Sequence, residues 1–306
     1  MFYERLLARL RKERFKPDAI AAYVRGTVSH VKEGLEQNPE FVRSLLAITL
    51  FLFGIIFALS AWFSISISKE IGVRFLVWSS AWLGLVFLWP LVHLSLSRDS
   101  EGTPLGKVTI ANFVSLFRLS LVPGLFILIL GESTAYAIAL FAAGALSDVV
   151  DGFLARRFSQ QTRMGLVLDP LADAAFNASA LWALATSWKL SPLIGLLITV
   201  RYGLLLGGAA YIYVFRGPVR IRPTVFGRLS AVFLSVMILT FMYLHGYGVS
   251  LLRERLSSVI ETGLAILITG TILHVLVMGI YSLRLYPRIV ATAEERSDEG
   301  ARTRRH

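Results

Sequence analysis

The chain has 306 residues, of which 55% are hydrophobic and 17% are charged, a composition typical of integral membrane proteins and not of soluble domains. The net charge of +11 could indicate a nucleic-acid partner, but the charges flank apolar segments and no recognition module accompanies them, so anionic membrane lipid is the expected partner and nucleic acid is not. The absence of cysteine excludes disulfides, thiolate metal sites and cysteine nucleophiles.

The first 40 residues place apolar side chains at helical spacing among basic ones, a pattern typical of a helix at the membrane surface. A soluble pair of helices that pack on each other would show the same pattern. Both interpretations predict an amphipathic helical segment ahead of the apolar part of the chain.

Apolar blocks follow along the rest of the sequence. They lie near 44–63, 74–97, 108–130, 134–154, 169–187, 191–215, 226–246 and 258–283. A helix needs roughly 20 residues to cross a bilayer, and a backbone in lipid must satisfy its own hydrogen bonds, so each block is expected to be a spanning helix. We therefore expect an all-α integral membrane protein. Its predicted parts are an extension with interfacial helices and two transmembrane helices (1–100), a six-helix membrane domain (101–289) and a charged, disordered tail (290–306).

The orientation follows from the basic residues. With eight spans, most of the 31 Lys and Arg residues fall on the side that holds both termini. Five fall on the other side: Lys69, Arg74, Lys189, Arg253 and Arg255. The positive-inside rule then places both termini in the cytoplasm, and we expect the protein in the bacterial inner (plasma) membrane.

Four aspartates stand at the facing ends of the fourth and fifth predicted spans: Asp148, Asp151, Asp169 and Asp173. An aspartate at the centre of a spanning helix costs about 2.5–3.5 kcal/mol, so such residues need a compensating charge. Members of each pair are about one helical turn apart, and by the predicted topology both pairs meet at the cytoplasmic boundary. Carboxylates at such short distances repel one another unless divalent cations bind between them, and oxygen ligands select Mg²⁺, Mn²⁺ or Ca²⁺. A diphosphate is the natural companion of such a metal site.

Small and basic residues accompany the aspartates. Gly152 would let a ligand approach the helix backbone closely, and Arg156 offers a planar fork for phosphate oxygens. Gly165 lies in the connecting loop, where a turn glycine is an equally good interpretation. Asp169 followed by Pro170 also fits a helix N-cap with proline at the first helical position. Capping would explain Asp169 but not Asp173 or the first pair.

The spacing Asp148-x2-Asp151-Gly152-x2-Ala155-Arg156-x8-Gly165-x3-Asp169-x3-Asp173 resembles, at every position, the signature of the CDP-alcohol phosphatidyltransferase family (class I). The resemblance covers roughly 104–285 and includes an opening that runs from Asn112 through Arg118 to Pro123.

The resemblance implies the six-helix core of that family and a reaction with its residues. A phosphatidyl group would move from a CDP-linked lipid donor to a small alcohol or phospho-alcohol acceptor, with release of CMP and with Mg²⁺ or Mn²⁺ as cofactor. Asp148, Asp151 and Asp169 would hold the metal, with Asp173 sharing in the site and acting as general base. The CDP pocket would include Asp148, Gly152, Ala155, Arg156, Gly165 and Asn112. The resemblance also implies a homodimer.

The acceptor is suggested by basic residues downstream. Arg201 lies deep in an apolar block, where a cation is costly, so it is expected to face the polar cavity. Arg220, Arg222 and Arg228 follow, and Gly227-Arg228 resembles the Gly-Lys of phosphatidylglycerophosphate synthases. Together they favour glycerol 3-phosphate as acceptor, although ordinary positive-inside anchors would give the same pattern. The sequence departs from the phosphatidylglycerophosphate and cardiolipin synthase branch at Ala174, where that branch places Lys.

Other acceptors stay open, namely phosphatidylglycerol, serine and inositol phosphate. In a different class, a divalent-cation transporter would use the aspartates as an ion pathway. Such a transporter favours polar groups spread through the membrane midplane, whereas these cluster at one boundary beside Arg156.

Overall fold

The computed structural model describes residues 2–98, 103, 105–157, 162, 164–187, 189–215, 224–248 and 250–303. The regular elements of these residues are all helical, as predicted. The helices are α1 Phe2–Lys12, α2 Pro17–Gln37, α3 Pro39–Ser66, α4 Lys69–Val92, α5 Ile110–Ser120, α6 Val122–Leu130, α7 Thr134–Arg157, α8 Gly165–Thr186, α9 Pro192–Phe215, α10 Val225–Tyr247 and α11 Ser250–Thr303.

Six segments of the described chain are long and apolar enough to cross a membrane: α3, α4, the continuous pair α5–α6 (Ile110–Leu130), and the apolar parts of α9, α10 and α11. The sequence predicted eight spans. The two additional helices, α7 and α8, have 24 and 22 residues, but they carry the aspartates, and the described side chains of α7 form an apolar stretch over Thr134–Ser147. They therefore have the length of spanning helices without the uniform apolar composition.

The two helices of the extension form a tight antiparallel hairpin. The hydroxyl of Ser60 on α3 donates to the carbonyl of Gly72 on α4 at 2.8 Å. A Cβ at position 72 would lie 2.7 Å from the Ser60 carbonyl oxygen, so only glycine permits this approach. The edge of one ring in the pair Phe63 and Phe75 faces the other, with centroids 5.0 Å apart. On its other side α4 packs against α5 and α6.

Helix α5 packs between α7 and α8, and α6 packs along α8. Leu116, Leu125 and Leu128 are buried there, and the rings of Phe141 and Phe176 stack with centroids 5.4 Å apart. The polar residues of α5 lie in the protein interior as well.

The two ends of the chain complete the fold. Helices α1 and α2 pack on each other through Leu7, Leu10 and Ala19, and the ring of Phe15 lies 5.6 Å from that of Phe215 at the end of α9. At the other end, the backbone of α11 continues as a helix to Thr303, where the sequence predicted a disordered tail from residue 290. That segment contains Ala, Glu and Arg, which are strong helix formers, so it can extend a helix that already exists.

Candidate active site

Helix α8 carries two of the predicted site residues, Asp169 and Asp173, one turn apart. The helix begins at Gly165, so Asp169 lies in its second turn and Pro170 in its interior. The alternative that Asp169 serves as the N-cap is therefore wrong. The hydroxyl of Thr162 instead accepts a hydrogen bond from the Gly165 N–H at 2.9 Å and satisfies the first turn. The Asp169 carboxylate is thus left for another role.

The Asp169 carboxylate is held from α5. The hydroxyl of Ser115, which is fully buried, donates to Asp169 Oδ1. Gly165 lies directly beside this carboxylate, because a Cβ at position 165 would be 3.6 Å from Asp169 Oδ2 and 2.9 Å from Asn112 Oδ1. A side chain at 165 would fill the space between Asn112 and Asp169.

Asn112 at the start of α5 is 1% exposed. Its Oδ1 accepts a hydrogen bond from the Thr162 hydroxyl at 3.0 Å. Its Nδ2 has no hydrogen-bond partner among the described residues. A buried amide N–H without a partner costs about 1–3 kcal/mol, so this donor is suited to a bound acceptor atom such as a phosphate or nucleotide oxygen. Three residues predicted from the sequence, Asn112, Gly165 and Asp169, are therefore neighbours in space.

Arg118 links helices α5, α7 and α8 beside Asp173. Its side chain on α5 is 2% exposed, and Nη1 forms an ion pair with Asp173 Oδ1 on α8. Its Nε donates to the hydroxyl of Ser147 on α7 at 3.3 Å. The Asp173 side chain keeps 33% exposure, so the carboxylate can be reached from outside while the guanidinium cannot. Since Ser147 directly precedes Asp148, the same guanidinium places the aspartate-bearing end of α7 beside Asp173.

A second set of hydrogen bonds fixes the backbone under Asp173. The side-chain amide of Asn177 donates to the Asp173 carbonyl at 3.1 Å. Its Oδ1 accepts from the hydroxyl of Ser235 on α10 at 3.2 Å. Helix α10 is thereby tied to the turn of α8 that carries the two aspartates.

The remaining predicted residues are described in part or not at all. Five lie in the helical backbone at the end of α7, with side chains outside the described part: Asp148, Asp151, Gly152, Ala155 and Arg156. Arg220 and Arg222 lie outside the described residues, and Arg228 is described only as backbone in the first turn of α10. The guanidinium carbon of Arg201 on α9 lies 5.0 Å from the ring centre of its neighbour Tyr202. No described contact joins Arg201 to Asp169 or Asp173.

The oxygen ligands fit a hard divalent cation. Asp169 and Asp173 supply carboxylate oxygens from one side of α8, and carboxylates are the ligands that Mg²⁺ and Mn²⁺ prefer. The described side chains contain no group of three His, Cys, Asp or Glu residues that could hold a metal, and those of Asp148 and Asp151 lie outside the description. The described part of the site thus supplies half of the predicted carboxylates.

The site also contains residues that sequence reasoning did not assign to it: Ser115, Arg118, Thr162, Asn177 and Ser235. Arg118 had a detectable signal, because a cation inside an apolar span is costly and usually functional. The hydroxyl and amide residues had none, because such side chains are common in helices.

We expect the Arg118–Asp173 pair to stabilise the packing of α5 on α8. Breaking a buried ion pair by removing one partner costs about 3–5 kcal/mol, and less here because Asp173 is partly exposed. Arg118→Met should lower the midpoint of thermal unfolding in detergent, and adding Asp173→Asn should restore part of the loss. Arg74→Met is the matched control, since Arg74 pairs with Glu70 while their side chains are 64% and 69% exposed, and such pairs contribute about 0–1 kcal/mol. Equal midpoints for Arg118→Met and wild type would contradict a stabilising role for the pair.

Comparison with known proteins identifies the family. The sequence model of the CDP-alcohol phosphatidyltransferase family matches residues 108–280. The CDP-diacylglycerol–glycerol-3-phosphate 3-phosphatidyltransferase of Aquifex aeolicus (strain VF5) is 35% identical over 164 residues, which cover 53% of this chain and 90% of the relative.

Shorter matches point the same way. The protein of that name from Escherichia coli (strain K12) is 41% identical over 78 residues, covering 24% of this chain and 43% of the relative. The cardiolipin synthase (CMP-forming) of Rattus norvegicus is 46% identical over 66 residues, covering 21% of this chain and 22% of the relative. The chain belongs to the CDP-alcohol phosphatidyltransferase family.

Proposed function

We propose that this chain transfers the phosphatidyl group of CDP-diacylglycerol to glycerol 3-phosphate and releases CMP. The observation that carries the acceptor assignment is the 35% identity to the Aquifex aeolicus enzyme across 90% of that enzyme's length. The name of that relative specifies glycerol 3-phosphate as acceptor. The basic residues Arg201, Arg220, Arg222 and Arg228 agree with an acceptor that carries a phosphate.

The bond changes assign a role to Asp173. The acceptor hydroxyl oxygen forms a bond with the phosphorus that bears the diacylglycerol, and the bond from that phosphorus to the oxygen of CMP breaks. The hydroxyl proton passes to the Asp173 carboxylate, which acts as general base. Arg118 contacts Asp173 Oδ1 and fixes the carboxylate orientation, so Oδ2 is the oxygen suited to take the proton.

The other residues bind and orient the donor. Asp148, Asp151 and Asp169 would hold Mg²⁺ or Mn²⁺, with Asp173 sharing in the site, and Ser115 orients the Asp169 carboxylate. When bound, the metal draws charge from the diphosphate and stabilises the departing CMP. Asn112, Gly165, Gly152, Ala155 and Arg156 would line the CDP pocket, with Asn112 Nδ2 supplying a buried donor.

A second acceptor has specific support. The 66-residue match to cardiolipin synthase favours phosphatidylglycerol as acceptor, although it covers only 22% of that relative. Serine and inositol phosphate have no such support among these relatives. Membership in a transferase family gives no support to the alternative that the chain is a divalent-cation transporter.

We further propose the location, domain division and assembly predicted from the sequence. Both termini and the aspartates would face the cytoplasm at the bacterial inner membrane, in accord with the distribution of Lys and Arg. The catalytic domain would span 101–289, and basic segments would bind anionic lipid. The protein would act as a homodimer.

An acceptor assay tests the proposed function directly. Purified protein receives CDP-diacylglycerol, Mg²⁺ and, in separate reactions, glycerol 3-phosphate, phosphatidylglycerol, serine or inositol phosphate, and CMP release is measured. We expect CMP with glycerol 3-phosphate, loss of activity with a chelator, and recovery on addition of Mg²⁺ or Mn²⁺. CMP formed only with phosphatidylglycerol would favour the cardiolipin synthase alternative, and activity that survives chelation would contradict metal dependence.

The role of Asp173 is tested by Asp173→Asn. The amide keeps the shape and can still accept a hydrogen bond from Arg118, but it cannot take a proton at neutral pH. We expect CDP-diacylglycerol binding to be retained while turnover falls by about 10²–10⁴-fold. Asp18→Asn, at an exposed position on α2, is the control and should retain turnover. Unimpaired turnover of Asp173→Asn would refute the role of base.

A further inference from the structure

The helical hydrogen-bonding pattern changes a few residues after Arg118. Helix α5 ends at Ser120 and α6 begins at Val122, with Pro123 in its first turn. In a continuous helix the carbonyl of Leu119 would accept from the N–H of residue 123, but proline has none. The N–H of Leu121 donates to the Arg118 carbonyl at 3.1 Å and is shared with the Leu119 carbonyl, two residues before it. The last turn of α5, which carries Arg118, therefore lacks a normal helical hydrogen bond.

The missing donor is supplied from outside the family core. The indole Nε1 of Trp82 on α4 donates to the Leu119 carbonyl at 2.8 Å. This bond is short and joins residues that are 37 positions apart in sequence. Helix α4 belongs to the extension, which precedes the matched family region 108–280.

A second contact from the same helix holds the other side of the break. Phe75 is fully buried, and its ring lies so close to Gly124 that a Cβ there would be 2.2 Å from Phe75 Cε2. Phe75 and Trp82 are two helical turns apart and so lie on the same face of α4. One face of the extension thus contacts the end of α5 through Trp82 and the start of α6 through Phe75.

We propose that Trp82 is a positioning residue for the transfer reaction. Its indole replaces the backbone donor that Pro123 lacks, and so fixes the end of α5 from which the Arg118 guanidinium reaches Asp173 and Ser147. Arg118 and Leu119 are adjacent, so a tilt of this turn displaces the guanidinium and with it the Asp173 carboxylate. This inference rests on the proposed role of Asp173 in catalysis, and it gives helix α4 of the extension a part in that role.

Trp82→Phe tests the hydrogen bond while keeping a large ring in place. We expect the kcat for CMP release to fall roughly tenfold, with KM for the acceptor changed by less than about twofold, because a small misplacement of a catalytic group lowers turnover steeply. Trp78→Phe is the matched control, since Trp78 lies one turn away on α4 with 63% exposure, and it should keep wild-type kcat. Unchanged kcat in Trp82→Phe would overturn the proposal.

Pro123→Ala separates positioning from packing. This substitution restores an N–H that can donate to the Leu119 carbonyl, so Trp82→Phe should lower kcat much less in the Pro123→Ala background than in wild type. An equal loss in both backgrounds would mean that Trp82 acts only through packing, and would overturn the proposal. Because every acceptor yields CMP, the test uses whichever acceptor wild type accepts. A wrong acceptor assignment would appear in the wild-type assay, whereas a wrong role for Trp82 would appear in the ratio between variant and parent.

Discussion

The burial of the Arg118 guanidinium constrains how helices α5, α7 and α8 pack. Arg118 is 2% exposed within an apolar helix, and a cation in that position must be paired and hydrogen-bonded. Its partners come from two other helices, Asp173 on α8 and Ser147 on α7. Helices α5, α7 and α8 must therefore meet at this point, which places Ser147, the residue before Asp148, beside Asp173.

Around this pair, each side of the site is held by a buried polar contact. Ser115 orients Asp169, Thr162 joins Asn112 to the first turn of α8, and Asn177 ties the Asp173 backbone to α10. These bonds are buried or part-buried, and polar groups whose hydrogen bonds are satisfied favour a single arrangement. Among the polar side-chain atoms of these site residues, Asn112 Nδ2 is buried without a described hydrogen-bond partner, and it points to where a ligand would complete the set.

The sequence predicted the helical class, six of the candidate apolar spans and the one-turn spacing of Asp169 and Asp173, because periodicity and local spacing determine these features. The alternative that Asp169 is the N-cap of its helix was wrong. The start of α8 depends on Thr162, whose hydroxyl also contacts Asn112 on α5. The sequence placed Arg118 in the family-like opening but gave it no partner, because pairing across 55 residues leaves no local pattern. The hydrogen bond from Trp82 to Leu119 could not be predicted from the sequence either, although Pro123 indicated that a backbone N–H donor was missing.

We propose that Asp148, Asp151, Asp169 and Asp173 hold a divalent cation for the donor diphosphate. Binding of Mn²⁺ to the purified protein with CDP-diacylglycerol, followed by electron paramagnetic resonance, tests this claim without depending on turnover. We expect a bound Mn²⁺ signal in wild type and in Asp18→Asn, and an affinity at least about tenfold weaker in Asp169→Asn. Equal Mn²⁺ affinity in Asp169→Asn and wild type would contradict it.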